Sequence, residues 1–435
     1  MNLLEAYSKR LRVSESVYTK SHNGEAMPQH KKLVIAKCLE NTSKFINEAF
    51  ENSVGTQRSS LGDFKKFTLN LVTVALPDLI SFDLVMVQPM SSMTGYIAYV
   101  QYVAGSNKGE TTQGEVFNDP FRLGDVDANY TSERVVETVT LNAQNKATLA
   151  WFPVVNTATV KPEVVGAEGV TITVDDAKTG AITLAGTGVQ EGAEFRIRYV
   201  YDNVVIPQND LPILNARMAN IALTAKARRI AIYYSQIANY QAKQDYGFDL
   251  GDQLAQKAVG QLNYEIDTEV TQLLIDNADG DGDLVWSKTL PVGVSKMEHY
   301  EGFTEIVAIG KQKIYDRTKR FAPNYMLVAS NILPVLSMVK SFEAAPAAKV
   351  NGPYFAGTLD GLKVYVTPNI EAGKFVLGVN GSDLETSAAV YAPYMPVIPT
   401  QLLGYADGAM SQGFSTMYDL KILNKDLLVS GRICN

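Results

Sequence analysis

Apolar and polar positions change rhythm several times along this chain, and each change marks a different kind of element. Between Gln29 and Phe50, Leu33, Ile35, Ala36, Leu39, Phe45, Ile46 and Phe50 recur at loosely helical spacing with Lys and Glu between them, which predicts an amphipathic helix on an extended N-terminal arm. Glu51–Asp63 is polar and rich in Ser and Gly, as a flexible connector would be. From Phe67 to Tyr102, apolar runs broken by Pro77 and Pro89 lead into Tyr96–Val103, a strand that opens the compact body. Asn107–Tyr130 sustains neither period and predicts a long protruding loop.

Between Arg134 and Tyr201 the period becomes two. Val170, Ile172 and Val174 alternate with Thr171 and Thr173, and Phe195, Ile197, Tyr199 and Tyr201 alternate with Arg196 and Arg198, so each strand buries one face. The turn-rich segments Asp175–Gly180 and Gly186–Gly192 separate them, which predicts a small antiparallel β module inserted in the loop. After Pro212, Leu223, Ala227, Ile230, Tyr234 and Ile237 fall on one face of a predicted helix reaching about Tyr246. Gly247 breaks it. Asp249 is placed to cap a second helix with Asp252 in its first turn, and Leu254, Ala258, Leu262, Ile266 and Val270 stripe that helix up to about Ile275. Collinear, the two would make a spine on the order of 80 Å long.

Beyond a Gly/Asp turn at Asp279–Asp283, predicted helices at Thr304–Ile314 and Asn331–Phe342 alternate with a strand at Tyr325–Ser330 and a strand pair, Gly361–Val366 with Lys374–Val379. Gly413–Arg432 closes the chain with strand-like stretches, Leu420–Leu423 and Leu427–Ser430 the clearest. The sum is an α+β fold without a fixed-period repeat.

At 435 residues, 46% hydrophobic and 20% charged, the chain can bury a sizeable core, and its length suggests two or three structural units. A formal charge of −7 argues against a protein that grips nucleic acid by its phosphates. Cys38 and Cys434 are the only cysteines, which excludes a disulfide framework, fits synthesis in a reducing cytoplasm and makes two buried apolar residues the expectation. Glu5, Lys9, Arg10 and Arg12 interrupt Met1–Arg12, so no N-terminal secretion signal is expected. No run approaches the roughly 20 apolar residues of a membrane span, so the expected product is soluble, without a membrane partner.

Imidazole chemistry has only His22, His30 and His299 to draw on, two of them on the polar arm. The serine-hydrolase elbow, the phosphate-binding loop, the dinucleotide glycine motif and the zinc-protease helix are absent. Asn277–Asp283 spaces carboxylates like a calcium loop, but the twelfth position, where a bidentate Glu is needed, is Lys288 counted from Asn277 and Leu290 counted from Asp279. A solvated turn is the better reading. Glu265, Asp267 and Glu269 are read as a solvated or intersubunit helix face, and Tyr233, Tyr234 and Tyr240 as packing residues rather than a base-stacking platform. No catalytic, cofactor-binding or metal-ligating residue is therefore assigned, no cofactor is implied, and an enzyme is not expected.

Asp78–Met90, ending Val87-Gln-Pro-Met90 and followed by Thr94-Gly95, resembles the Val-Gln-Pro-Met signature of the T-even phage major capsid family. Arg229–Leu273, with Asp245-Tyr-Gly-Phe-Asp249 and Glu265-Ile-Asp-Thr-Glu-Val270, is similar to that family's spine-helix region. Gly357–Tyr365, Tyr391–Pro396, Gly413–Tyr418 and Val34–Asn41 resemble family segments in the same order, whereas about 134–201 carries no motif-level match. The resemblance implies a Hong Kong 97-type capsid fold. Onto this chain it maps an N-terminal arm (1–66), the start of a peripheral domain (67–106), an extended loop with the β module (107–210), a spine helix (211–276), an axial domain (277–404) and closing peripheral strands (405–435).

It further implies a shell subunit that self-assembles into hexamers and pentamers around packaged DNA, which it meets by non-specific proximity. Scaffolding, portal, vertex and decoration proteins are the other implied partners, and assembly takes place in the bacterial cytoplasm. Family members lose an N-terminal segment to a protease that cuts after Glu. Leu39-Glu40 is a site of that type, although removal is not expected here. The competing readings are a pentameric vertex protein, a glycan-binding surface protein built on the β module with Trp151, and, weakest, an enzyme using His299.

Overall fold

A computed structural model of the chain describes residues 3–21, 24–51, 58–109, 111–117, 129–155, 160–162, 169–186, 188–204, 211–345, 352–381 and 383–434. The chain divides into two compact units, Met1–Ile97 with Ile221–Asn435, and Ala98–Asn220. It opens with helices α1 (Leu3–Ala6), α2 (Ser8–Ser21), α3 (Gln29–Glu51) and α4 (Arg58–Ala75), the single turn α5 (Ser81–Leu84) and the short strand β1 (Met86–Val87). Strand β2 (Thr94–Ala104) leads into the second unit. There follow β3 (Arg134–Thr140), β4 (Lys146–Thr148), β5 (Lys161–Pro162), β6 (Thr171–Asp176), β7 (Ala181–Ala185) and β8 (Glu194–Val200). Strand β9 (Leu214–Thr224), paired with β2, leads back to the first unit.

The first unit continues with β10 (Lys226–Ser235), α6 (Gln236–Tyr246), α7 (Leu250–Asn277), β11 (Asp279–Ser287), α8 (Lys296–Glu301), α9 (Phe303–Thr318), β12 (Tyr325–Ala329) and α10 (Leu333–Leu336). Strands β13 (Phe342–Ala344), β14 (Tyr354–Leu359), β15 (Leu362–Thr367) and β16 (Lys374–Gly378) precede the closing strands. These are β17 (Ala389–Pro399), β18 (Leu403–Gly404), β19 (Ala409–Ile422) and β20 (Leu428–Cys434). The mixture is α+β, as the alternation of periods predicts.

In the first unit, one sheet runs β1-β17-β19-β10 with β18 beside β19, and a seven-stranded sheet runs β11-β20-β16-β12-β15-β14-β13. The N-terminal helices are not an extended arm: Leu11, Tyr18, Ile35, Leu39, Leu69 and Val72 all join the main core. The helical face of α3 needs a partner to cover it, and β17 and α4 supply one within the same unit. Leu39-Glu40 consequently lies mid-helix with Leu39 fully buried, out of a protease's reach in this fold. Of the expected connector, 52–57 lie outside the described residues, while Arg58 onward is already α4.

The predicted helix after Pro212 is instead mostly strand. β10 pairs antiparallel with β19 from Lys226↔Tyr418 to Ser235↔Ala409, and helix begins only at Gln236. Spacings of three and four in this segment coexist with a period of two, in which Ile230, Ile232 and Tyr234 turn inward and Arg229, Ala231 and Tyr233 outward; the distant ladder decides between them. The single continuous spine is therefore α7 alone, 28 residues and about 42 Å. Its start agrees with expectation, since Asp249 accepts from the Gly251 N–H and Asp252 sits in the first turn. Ala258, Leu262, Ile266 and Val270 are buried along its stripe.

Asp279–Asp283 is no turn but the start of β11, drawn straight by parallel pairing of Asp279 and Gly280 with Val429 and Ser430 before the register shifts. Gly361–Val366 and Lys374–Val379 do not pair with each other, because β12 lies between β15 and β16. The Asn331–Phe342 helix shrinks to a 3-10 turn and one α turn, consistent with Pro334 near its start. Cys38 is buried as expected and Cys434, at the end of β20, is exposed.

The second unit contains not one sheet but two of three strands, β3-β8-β5 and β4-β7-β6, around a core with Ile182, Leu184, Ile197 and Tyr199. The two period-two segments sit in different sheets and face each other across this core, which is why both alternate so cleanly. Of the expected protruding loop, 110 and 118–128 lie outside the described residues. Its described ends fold back, with Val103 bridging Val116 and the ring of Phe117 lying 4.5 Å from that of Tyr130.

Candidate functional site

The motif segments, scattered over some 350 residues, converge in the first unit. Parallel pairing of β1 with β17 sets Val87 opposite Tyr391. The ladder continues past the strand as Gln88 N–H donates to Tyr391 O at 3.0 Å and Met90 N–H to Pro393 O at 3.0 Å. Pro89 between them has no N–H to donate, so its place in the sequence matches a skipped rung. Asn41 on α3 closes the junction, its Nδ2 donating to Met90 O at 2.7 Å and to Tyr394 O at 3.2 Å. Val34–Asn41, Val87–Met90 and Tyr391–Pro396 thus form one buried joint. Burial pushes the Cys38 thiol up to about 12, and the Tyr391 hydroxyl well above its ordinary value, so neither is a nucleophile here.

Two buried carboxylates brace this joint, and sequence reasoning singled out only one of them. Asp83, inside the apolar run Leu79–Val87, faces Lys31 Nζ at 2.5 Å and accepts from Tyr365 OH at 3.1 Å, with both ion-pair side chains under 10% exposed. A lone acid within an apolar run is the signal that would have found it, since such a group must be paired. Asp267 is not on a solvated face. Its Oδ1 accepts from Ser81 N at 3.0 Å and Ser81 Oγ at 2.5 Å, and its Oδ2 from Ile80 N at 3.4 Å, tying α7 to the start of α5. Burial raises its carboxyl to about 6, against the opposing pull of these donors. Glu269 pairs with Arg228 on β10 and accepts from Tyr418 OH on β19, while Glu265 is half-buried and accepts from Gln261.

The two described imidazoles do not assemble a reaction centre. His22 lies outside the described residues and His30 is exposed. His299 stacks on Trp286 with ring centroids 4.8 Å apart, its Nε2 2.8 Å from Ser287 O. Among the described residues no three His, Cys, Asp or Glu side chains converge as metal ligands, and no helix is long and apolar enough to cross a membrane. A partly open cleft of about 370 Å³ lies beside the joint, lined by Leu33, Val34, Val87, Gln88 and Asn380 among others.

In the second unit, Trp151 is no open platform. Its ring packs 5.3 Å from that of Tyr201, and the buried Lys108 ammonium lies 5.7 Å from the Trp151 centroid and 5.1 Å from that of Tyr201. Lys108 also donates to the carbonyls of Tyr130 at 2.8 Å and Ser132 at 2.6 Å. Glu137 accepts from Tyr199 OH at 3.0 Å and Ala150 N at 2.9 Å, and burial raises its carboxyl. Trp151, Lys108 and Glu137 are thus each engaged by other groups of the same unit.

The expectation that Tyr233 and Tyr240 pack internally fails. Both are about two-thirds exposed, and only Tyr234 of the three is half-buried, because Tyr233 and Tyr234 alternate across β10 and α6 buries no residue. What is elaborate among the described residues is a braced internal framework, with Tyr233 and Tyr240 left on the surface.

The model of the major capsid protein Gp23 family matches residues 61–428. The major capsid protein of Vibrio phage KVP40 is 23% identical over 401 residues, covering 81% of this chain and 75% of its own. That of Enterobacteria phage T4 is 23% identical over 398 residues, covering 81% and 74%. Among solved structures, the mature capsid of bacteriophage PhiM1 aligns at 11% identity and a TM-score of 0.37, covering 54% of this chain and 79% of that one. With the family model spanning most of its length, the chain belongs to the Gp23 family of tailed-phage major capsid proteins, which is structural and not enzymatic.

Proposed function

We propose that this chain builds the hexamers and pentamers of an icosahedral head around packaged double-stranded DNA, on a Hong Kong 97-type fold and without catalytic activity. The family match over 61–428 carries the reading. In this assignment 67–106, α7 as the spine and 405–435 make the peripheral domain, 277–404 the axial domain, and 107–210 the loop that reaches a neighbouring subunit. The buried joint supports a mechanical role: it fixes α3, α7, β1 and β17 to one another, so that force on one element is shared by all. Closed shells demand subunits that keep their shape while making non-equivalent contacts. A net charge of −7 lets DNA lie against the inner wall without a tight phosphate grip.

Scaffolding, portal, vertex and decoration proteins are the proposed further partners, and the host bacterial cytoplasm the place of assembly. Quantitative mass spectrometry of purified particles tests the role. Hundreds of copies per particle are expected; about five per vertex would assign the chain to the pentameric vertices instead.

A further inference from the structure

Strand β1 is an edge of its sheet, with β17 on one side and no strand among the described residues on the other. In the parallel pairing of Met86 with Val390 and Val87 with Tyr391, the even-numbered N–H groups turn toward β17. Gln88 and Met90 show this by donating to Tyr391 O and Pro393 O. The N–H and C=O of Val87 therefore point the other way, to the open edge. The cleft of about 370 Å³ lies on that side, since Met86, Val87 and Gln88 line it and no described residue of β17 does. Its size falls within the ~300–1,000 Å³ of pockets that hold ligands.

The walls are apolar and their polar equipment is small. Val34, Phe82 and Val85 are buried, while Leu33 on α3 lines the cleft and stays 43% exposed. Pro89 ends the edge after Val87, because it has no N–H to offer. An added strand thus gains the N–H and C=O of one residue and must draw the rest of its affinity from side chains, the division of labour seen when a peptide joins a sheet edge. Charge narrows the partner further. No described carboxylate lines the cleft, although the chain carries −7 overall. His30 and Lys37 do line it, and Lys37 shares Glu40 with Lys44 at 2.8 Å each, so two ammonium groups stand against one carboxylate.

We propose that the cleft between α3 and β1 docks an extended acidic peptide belonging to a different protein. The peptide runs beside β1 and pairs with Val87, seats an apolar side chain against Leu33 and Phe82, and sets a carboxylate near Lys37. Asn41 ties α3 to the end of this segment through Met90 O, so the walls are already in place and little ordering is needed on binding. This contact stands apart from shell assembly, because it needs no second copy of the chain.

Fluorescence anisotropy with the purified full chain tests the site, the probe being a labelled heptapeptide that alternates Val with Glu. Saturable binding at or below about 1 mM is expected. It should weaken by ~tenfold or more when the central backbone N–H groups of the probe are methylated, when Lys replaces every Glu, and in the Leu33→Glu variant. Leu33 is partly exposed, so that variant is expected to melt within about 2 °C of the wild type. The two altered probes are read on the wild type and decide the matter even if the variant folds poorly. Absence of saturable binding would overturn the proposal, as would binding that methylation leaves unchanged or that a folded Leu33→Glu chain reproduces. Equal binding of the Lys probe would also overturn it, since the cleft would then lack the charge preference that selects its occupant.

Discussion

In the middle of α7, Asp267 holds hydrogen-bond donors on both oxygens and has no ion-pair partner among the described residues. Its carboxyl titrates at about 6 in the fold against 3.8 in its ordinary state. The folded chain thus keeps the proton to higher pH than the unfolded chain does. The resulting stabilisation is fully present below about pH 3.8 and is lost as the pH rises through 6. A gap of about two pH units corresponds to ~3 kcal/mol. Asp267→Asn carries no charge to titrate, so in urea unfolding of dissociated subunits its stability relative to the wild type should rise between about pH 4 and pH 7. A difference constant over that range would contradict a buried, titrating carboxylate.

The neighbouring pair behaves differently because it is compensated. Lys31→Met alone leaves Asp83 buried without its cation and should cost about 3 kcal/mol, whereas Lys31→Met with Asp83→Asn should recover a good part of that loss. Equal losses in the single and double variants, measured by the same unfolding, would show that the ion pair is not what holds α3 to the α5 turn.

At the scale of elements, two positions test how the ends and bends are made. Asp249→Ala removes the α7 cap and its bond to the Gly251 N–H, and should lower stability by about 1 kcal/mol. Gly357, at the register shift of β14, has φ +151°, and a Cβ there would lie 2.2 Å from Glu343 O. Gly357→Ala should therefore cost about 2 kcal/mol or more in the same assay, and a neutral result would mean that the β13–β14 pairing is looser than described.

These elements also show where sequence reasoning succeeds. The α3 and α7 helices were legible because their stripes, and for α7 its cap, are local. Strand β10 was not, because its partner β19 lies about 180 residues away and its apolar spacing satisfies either period. Asp279–Asp283 has a turn's composition and becomes strand only because β20 runs beside it. The joint was legible only as separate motifs. Nothing local announces that Asn41 will bond to Tyr394, 353 positions on, or that Asp267 will turn inward to the start of α5.

At the scale of the whole molecule, the described part of the first unit turns Lys31, Asp83 and Asp267 to internal bracing and leaves large apolar side chains such as Tyr233, Ile237 and Tyr240 exposed, a combination suited to a part of something larger. The second unit uses Lys108, Glu137 and Trp151 in the same inward way. The central claim is that copies of this chain close into a shell, and negative-stain electron microscopy of its native, sedimentable form tests it most directly. Closed icosahedral particles are the predicted result; a homogeneous field of small discrete oligomers, with no closed shells, would contradict it.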